Sequence, residues 1–304
     1  MKSIGIVLVL AALLPVVGSG QAADKLRVVA TTPDLAAIAR AVGGDFVDVT
    51  SIARPNEDPH FVDARPSFIR VLNQADVLIE GGAQLEAGWL PPLVEGARNS
   101  RIAVGSPGRV VASEGIALLD VPAQLNRAMG DVHALGNPHY LLDPLNAKTV
   151  AATIVTGLCV SDSTHCASYQ DGARKFSADI DARLIVWQAL LEPVRGTKVV
   201  TYHRDFDYFA QRFGLDVVDT LEPKPGIPPS PTHLVELIPK MQSDHVRLII
   251  VEPNRERQNP DFVSEKTGAR VLLLPIMPGG EQAVEYIELI DYNVRQVAAA
   301  LKTT

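Results

Sequence analysis

Three of the seven histidines in the 304-residue chain stand where an α/β protein can place its ligands. His60 lies in a loop after a predicted strand that ends near Ala53, His203 directly follows the predicted strand 198–202, and His139 precedes a predicted helix. Open α/β sheets bind ligands beyond the carboxyl ends of their strands, and neutral imidazole is the commonest protein ligand for metals such as zinc. The three histidines are 79 and 64 positions apart. This spacing leaves two interpretations open, a shared metal site or separate hydrogen-bonded surface histidines.

The elements that must position these histidines alternate between short apolar runs and helical patterns. In the first half, helical patterns separate runs typical of β-strands at 26–31, 46–53, 76–80 and 101–104. After Pro193 a second group of predicted strands alternates with helical patterns, at 198–202, 215–221, 246–251 and 271–275. Strands that alternate with helices predict parallel sheets. The predicted fold class is therefore α/β, with two parallel-sheet lobes.

A long helical pattern separates the two groups of strands. Apolar residues recur at helical spacing from 169 to 191, and neither glycine nor proline occurs after Gly172 in this segment. A helix of about 20 residues is about 30 Å long. It could therefore act as a strut between the lobes or lie on the surface as an ordinary helix, and the spacing alone leaves both open.

The N-terminus has the pattern of a secretory signal peptide. Lys2 supplies a positive charge, 4–17 is an almost unbroken apolar run, and 18–23 is rich in small residues. A membrane anchor is the alternative, but the run is shorter than the roughly 20 residues that a span needs. We therefore expect residues 1–22 to be removed and the mature protein to be periplasmic. Because no cysteine lies near the cleavage point, we do not expect a lipoprotein.

Composition and charge narrow the class of protein further. The chain is 47% hydrophobic and 21% charged, which is typical of globular proteins, and its length favours two domains. A formal net charge of −7 without a basic stripe argues against binding to nucleic acids or anionic membranes. We also expect a monomer. Cys159 and Cys166 lie seven positions apart around a polar segment. In an oxidising compartment this spacing favours a local disulfide over two free thiols.

Five segments, in order along the chain, carry the motifs of one known family: 58–67, 72–90, 130–144, 199–215 and 285–301. They resemble the periplasmic zinc- and manganese-binding proteins of ABC importers, the TroA-like or cluster A-I solute-binding family. The sequences GNPHYLLDP and TYHRDF are the most specific when they occur together. The resemblance implies two α/β lobes joined by one long rigid helix, with a metal between the lobes. We accordingly predict a first lobe over 23–166, a linking helix over 167–193 and a second lobe over 194–304.

The resemblance also implies that His60, His139 and His203 are the metal ligands. Family members with glutamate at the third position resemble manganese carriers, and members with histidine resemble zinc carriers, in keeping with the preference of imidazole for zinc and of carboxylate for manganese. His203 therefore predicts Zn(II) as the transported ligand, with Mn(II) less favoured. The implied partner is an inner-membrane ABC permease with its cytoplasmic ATPase.

The chain departs from the family pattern around the fourth ligand. Many relatives supply an aspartate after the last strand, whereas the segment 274–281 contains none. The fourth position could go to water, to Glu281 or to another carboxylate, and we favour water. The segment 110–131 also lacks the histidines that many zinc-binding relatives carry there. His133 follows it, either as an auxiliary ligand, as a residue that guides the metal in, or, as we expect, as an exposed loop histidine.

Residues behind the ligands can be predicted because metal-bound histidines usually donate their second ring N–H to a carboxylate or a carbonyl. The candidates for this role are Asp58, Asp143, Asp205 and Glu252, although Asp143 and Asp205 could instead cap helices. The other histidines carry no motif and are expected to be ordinary polar residues: His165, His233 and His245.

Three functions are compatible with such a site. The first is capture of a metal in the periplasm and its delivery to the permease. The second is a zinc hydrolase, because three histidines and a water also form catalytic zinc sites; the chain, however, lacks an HExxH motif and any general-base motif beside the histidines. The third is an adhesin-like surface protein, for which the sequence has no attachment signal. We expect the carrier and not an enzyme.

Overall fold

The structure is a computed structural model that describes residues 25–122 and 133–302. Within these ranges the strands form two four-stranded sheets in which all pairs are parallel. The first sheet consists of β1 (Leu26–Ala30), β2 (Val47–Ser51), β3 (Val77–Glu80) and β4 (Arg109–Val111). The second consists of β5 (Lys198–Thr201), β6 (Asp216–Thr220), β7 (Leu248–Val251) and β8 (Arg270–Leu273). The predicted α/β class is confirmed, while the predicted signal peptide 1–22 lies outside the described residues.

Both sheets have the same strand order, and this order creates a place for a ligand. The orders are β2-β1-β3-β4 and β6-β5-β7-β8, so the first strand of each sheet lies between the second and the third. The chain therefore leaves β1 toward one edge of its sheet and β3 toward the other, and it does the same after β5 and β7 in the second sheet. At such a switch point a crevice opens beyond the carboxyl ends of the strands, where α/β proteins bind ligands.

Helices connect the strands and cover the sheets. Several begin with a proline in the first turn, where the missing N–H costs no intrahelical hydrogen bond. In the described residues the helices are α1 (Pro33–Gly43), α2 (Pro66–Gln74), α3 (Leu90–Ala97), α4 (Pro144–Ser161), α5 (Cys166–Leu191), α6 (Asp207–Phe213), α7 (Pro231–Ser243), α8 (Gln258–Thr267) and α9 (Tyr286–Lys302).

The edge strand of the first sheet is not where the sequence pattern placed it. The segment predicted as a strand at 101–104 begins instead with a 3-10 turn, Ser100–Ile102, because the Asn99 side chain accepts a hydrogen bond from the Arg101 N–H. The pairing strand is β4, which follows Gly108. A Cβ at Gly108 would lie 2.5 Å from the Arg101 carbonyl oxygen and 2.6 Å from that of Asp76, so only glycine lets the chain pass here and join the sheet.

The long helix α5 spans 26 residues and contacts both halves of the molecule. It packs against α1 and α4 on one side and against α9 on the other. Gly172 lies so close to the Val42 carbonyl that a side chain would not fit, and buried Trp187 donates its indole N–H to Asp291 in α9. These contacts support the strut rather than a surface helix. The lobe boundaries at 166/167 and 193/194 stay a prediction.

The two halves share a continuous apolar core. One hydrophobic cluster includes residues of β1 and of β5, together with α5 and α9. Tyrosine hydroxyls bridge the halves within it: Tyr208 donates to the Asn137 carbonyl at 2.7 Å, and Tyr286 donates to the Leu141 carbonyl at 2.6 Å. Because large apolar interfaces oppose relative motion of domains, this core holds the segment around His139 in place.

Cys159, near the end of α4, and Cys166, the first residue of α5, form the predicted disulfide. The bond closes a short loop with a sequence separation of 7. Closing a loop of this length should stabilise the protein by about 2–3 kcal/mol. We therefore expect the Cys159→Ser/Cys166→Ser double variant to lose about that much free energy of unfolding in urea, with unchanged metal affinity. An unfolding midpoint equal to that of the wild type would contradict this prediction.

A buried carboxyl group, Glu86, should make the stability of the metal-free protein depend on pH. It accepts hydrogen bonds from the Thr31 hydroxyl and from the N–H groups of Gly81 and Gly82, yet burial raises its pKa from 4.5 to about 7. Between these values the folded state binds the proton and the unfolded state does not. The contribution of Glu86 to the free energy of unfolding is therefore greatest below pH 4.5. This contribution, about 3 kcal/mol, is lost as the pH rises through 7.

Urea unfolding of the metal-free protein at pH 5 and pH 8 measures this effect. Other groups also titrate in this range, so the comparison is with Glu86→Gln, which should lose about 3 kcal/mol less between the two pH values than the wild type. The same pH dependence in both proteins would show that Glu86 has an ordinary pKa.

Candidate metal centre

The structure brings His60, His139 and His203 together. His60 follows β2, His139 precedes a 3-10 turn that leads into α4, and His203 comes two residues after β5. One ring nitrogen from each lies within 4.8 Å of the others. The ring centroids are 5.0 Å apart for His60 and His139, 5.2 Å for His139 and His203, and 5.6 Å for His60 and His203. Residues distant in sequence thus meet beyond the ends of strands from both sheets.

A carboxylate fixes the orientation of each of these rings. The Nδ1 atoms of His60, His139 and His203 lie 3.0, 2.9 and 2.7 Å from carboxylate oxygens of Asp58, Asp205 and Glu222, respectively. An Nδ1–H that donates to a carboxylate leaves Nε2 as the free lone pair, which is the arrangement of metal-bound histidines. The Nε2 atom of His139 is buried and has no hydrogen-bond partner in the structure. A cation between the three Nε2 atoms would supply the missing interaction.

Two of the four carboxylates predicted behind the ligands contact histidines, and two do not. Asp58 and Asp205 have the predicted contacts. Asp143 instead caps α4 by accepting from the Leu145 N–H, and it forms two hydrogen bonds with Arg212. Glu252 lies beside Asp205; burial and the Asp205 charge raise the pKa of Glu252 well above its usual value, so that it is protonated and can donate to Asp205.

Sequence reasoning missed Glu222 and Arg255. Glu222 lies two residues beyond β6, so the end of a predicted strand was the available signal. The Arg255 guanidinium lies 3.1 Å from Asp58, 3.8 Å from Glu222 and 3.8 Å from Glu252. When the imidazoles are neutral, as metal ligands must be, and Glu252 is protonated, the carboxylates of Asp58, Asp205 and Glu222 and one guanidinium give a net charge of −2. A divalent cation would cancel this charge.

The histidines themselves differ in how readily they become protonated. Burial lowers the pKa of His139, which keeps the ring neutral as a metal ligand must be. Burial would also lower the pKa of His203, but the charges of Asp205 and Glu222 outweigh it and raise that pKa. Although burial raises the pKa of Asp58, its hydrogen bond to His60 and the charges of His60 and Arg255 bring it down to about 2.

His133 is not the exposed loop histidine that we expected. It is half-buried, its ring stacks on that of His60 with centroids 5.1 Å apart, and the two Nε2 atoms are 3.0 Å apart. Burial, with the neighbouring histidines, lowers the pKa of His133 to about 3. Glu281, in contrast, is exposed and does not belong to the three-histidine group. The other histidines form ordinary polar contacts or are exposed: His165, His233 and His245.

A cavity next to the histidines gives access to them. Its volume is about 310 Å³, and His133, His139, His203 and Arg204 line it. Because water occupies about 30 Å³ per molecule in the liquid, this volume accommodates a small hydrated cation. Among the described residues, the triad is the group whose potential ligand atoms all lie within 4.8 Å of one another, and His133 adjoins this group through its contact with His60.

Comparison with known proteins defines the class of this protein. The family model described as "Zinc-uptake complex component A periplasmic" matches residues 28–300, and the chain belongs to this family. The class is the metal-binding, solute-binding component of ABC importers, which is not an enzyme class. The hydrolase alternative is therefore excluded. None of the helices in the described ranges is long and apolar enough to cross a membrane.

Individual relatives cover almost the whole chain. A protein of Treponema pallidum (strain Nichols), whose name assigns it provisionally to metal binding, is 29% identical over 289 residues, which are 91% of this chain and 87% of the relative. The manganese ABC transporter substrate-binding lipoprotein PsaA of Streptococcus pneumoniae serotype 4 is 24% identical over 317 residues, 99% of each chain. A crystal structure of ZnuA superposes with a TM-score of 0.78 at 22% identity, covering 91% of this chain and 99% of that one. This last likeness confirms the fold.

Proposed function

We propose that the protein is a periplasmic carrier that binds Zn(II) through the Nε2 atoms of His60, His139 and His203 and delivers it to an inner-membrane ABC permease with its cytoplasmic ATPase. The single observation that carries the proposal is the triad itself, in which three ring nitrogens lie within 4.8 Å of one another. Each ring is oriented by a carboxylate, so the nitrogens face one point before any metal arrives. Neutral imidazoles at a fixed point form a preorganised zinc site.

The choice of zinc over manganese rests on the ligand type. Imidazole suits zinc, copper and nickel, whereas manganese prefers carboxylate and other oxygen ligands. In this site the carboxylates contact the Nδ1 side of the rings, behind the nitrogen ligands. His203 also stands where family members that resemble manganese carriers have glutamate. The manganese named in the PsaA description therefore does not transfer to this chain.

The location and organisation of the carrier are part of the proposal. Cleavage after residue 22 would release a periplasmic protein without a lipid anchor, because no cysteine lies near that point. The disulfide between Cys159 and Cys166 supports an oxidising compartment. We further propose a monomer with lobes over 23–166 and 194–304 joined by the helix 167–193.

Titration of the mature protein with Zn(II) and Mn(II) tests the proposal. We expect one zinc per protein in a calorimetric titration, and a zinc affinity at least about 100-fold above that for manganese, equivalent to about 2.8 kcal/mol. Zinc at 100 times its dissociation constant should also stabilise the fold by about 2.7 kcal/mol through mass action. Absence of both binding heat and thermal stabilisation, or equal affinities for the two ions, would contradict the zinc carrier.

A further inference from the structure

We propose that His133 is the fourth metal ligand and closes the site with a fourth imidazole in place of water. The inference rests on the proposed function, since it concerns the same metal. It assigns a role to a histidine that lies outside the triad and outside the end of any strand. Three observations support it. The His133 ring lies close to that of His60, hydrogen bonds hold the loop around His133, and the ring lines the cavity next to the triad.

The approach of His133 to His60 has the dimension of a metal site. In a tetrahedral zinc complex with Zn–N distances of 2.0–2.1 Å, two nitrogen ligands are about 3.3–3.4 Å apart. The Nε2 atoms of His133 and His60 are 3.0 Å apart. The ring centroids are 5.1 Å apart, within the 5.0–5.6 Å that separate the centroids of the triad rings. A small outward shift of either ring brings the pair to the ligand–ligand distance.

The loop that carries His133 is held by hydrogen bonds of its own backbone. The Ala134 N–H donates to the Gln84 side-chain oxygen at 2.6 Å, and the Gly136 N–H donates to the His133 carbonyl at 3.1 Å. Gly136 has a φ of +114° and lies so close to the Leu119 carbonyl that a Cβ would be 2.7 Å from it. The turn therefore requires glycine at this position, and it holds the backbone that links His133 to the segment of His139.

His133 also borders the cavity that adjoins the metal site. It lines the 310 Å³ cavity that adjoins His139 and His203. The triad is anchored beside strands and a helix start, whereas His133 belongs to a surface loop. We infer that His133 is the last ligand to bind when the metal enters through the cavity and the first to leave when it is released.

A fourth imidazole has two chemical consequences. Four-coordinate zinc sites without an open position are closed, so no zinc-bound water is left to react, which suits a carrier. An all-nitrogen set also increases discrimination against manganese, which prefers oxygen ligands. Removing His133 should therefore make zinc release faster and reduce the ratio of zinc affinity to manganese affinity, while the triad still binds the metal.

The test compares His133→Asn with a matched His245→Asn control. His245 is exposed and has a φ of +54°, a conformation that asparagine tolerates well. X-ray absorption at the zinc edge should count four imidazoles in the zinc-loaded wild type and in the control, and three imidazoles with one oxygen in His133→Asn. Release of zinc to an excess of chelator should be at least about 10-fold faster in His133→Asn. Removal of groups that support a metal site typically lowers metal affinity by at least this factor.

The other outcomes separate this inference from the proposed function. Three imidazoles in the wild type, or release from His133→Asn at the rate of the control, would overturn the role of His133 and leave the zinc carrier intact. A Glu281→Gln variant that loses an oxygen ligand would overturn it in favour of the carboxylate. A wild type that binds no zinc would overturn the proposed function itself. Circular dichroism of the metal-free variants verifies that each has folded.

Discussion

Replacing His139 with alanine is expected to abolish tight zinc binding while the protein remains folded. Of the three triad rings, His139 is near both others, with centroids 5.0 and 5.2 Å away. Its Nε2 atom is buried without a hydrogen-bond partner, so its lone pair is available only to a bound cation. Without this ligand the remaining imidazoles hold zinc far less well. We expect a loss of at least about 100-fold in affinity, or about 2.8 kcal/mol.

The fold should survive because other groups hold this segment. The backbone N–H of His139 donates to the Asn137 side chain, and Tyr140 donates its hydroxyl to the Gly81 carbonyl at 2.6 Å. Competition with a chromophoric chelator measures the affinity, and thermal unfolding of the metal-free protein measures the stability. His165→Ala is the matched control, since His165 also forms a pair with an aspartate, Asp162, outside the triad. Equal zinc affinities of His139→Ala and the control would refute the site.

Replacing Asp205 with asparagine is expected to weaken zinc binding by about 10-fold to 100-fold without touching a ligand. Asp205 lies 2.9 Å from Nδ1 of His139, and although burial raises the pKa of Asp205, its interactions with His139 and His203 bring that pKa well below its usual value. Carboxylates behind metal-bound histidines typically contribute this much to affinity. The amide retains the size and an acceptor oxygen but not the charge. The loss therefore measures the charge that supports His139.

Asp143→Asn is the control for this substitution. Both aspartates were predicted from the sequence to support ligands, but Asp143 caps α4 and pairs with Arg212. Asparagine caps helices as well as aspartate does, but it loses the charge that pairs with Arg212 through two hydrogen bonds. The replacement should therefore lower the free energy of unfolding by about 1 kcal/mol and leave the zinc affinity unchanged. Isothermal titration at constant pH gives both affinities. A similar loss of affinity in the two variants would indicate a general effect of stability rather than support of His139.

Much of the fold could be predicted from local patterns in the sequence. Alternating apolar runs predicted the α/β class, because the periods of strands and helices are set by neighbouring residues. The three histidines were selected because they stand near strand ends or a helix start, and the family motifs around them implied a common site. The disulfide was predictable for the same reason, since Cys159 and Cys166 are separated by one polar turn.

The sequence pattern gave the wrong or an undecided answer where a specific side-chain contact or a steric constraint overrides it. The segment 101–104 has the composition of a strand, but the Asn99 side chain turns the chain there, and the true edge strand begins only after Gly108 has passed the Asp76 carbonyl. For Asp143 the sequence left two roles open, support of a ligand and capping of a helix, and the structure shows the cap of α4 together with the pair to Arg212. Such competition between partners is invisible in one sequence.

The sequence by itself determined the class of fold and the disulfide, because both depend on residue type and short-range spacing, and the family motifs around His60, His139 and His203 implied the three imidazoles. Only the tertiary structure decided that Glu222 and Arg255 complete the charges around the triad and that His133 lies 3.0 Å from His60. These contacts join residues 19 to 197 positions apart. They form because folding brings the ends of both sheets together. The low dielectric of the interior then strengthens the electrostatic interactions between the charges and lone pairs that meet there.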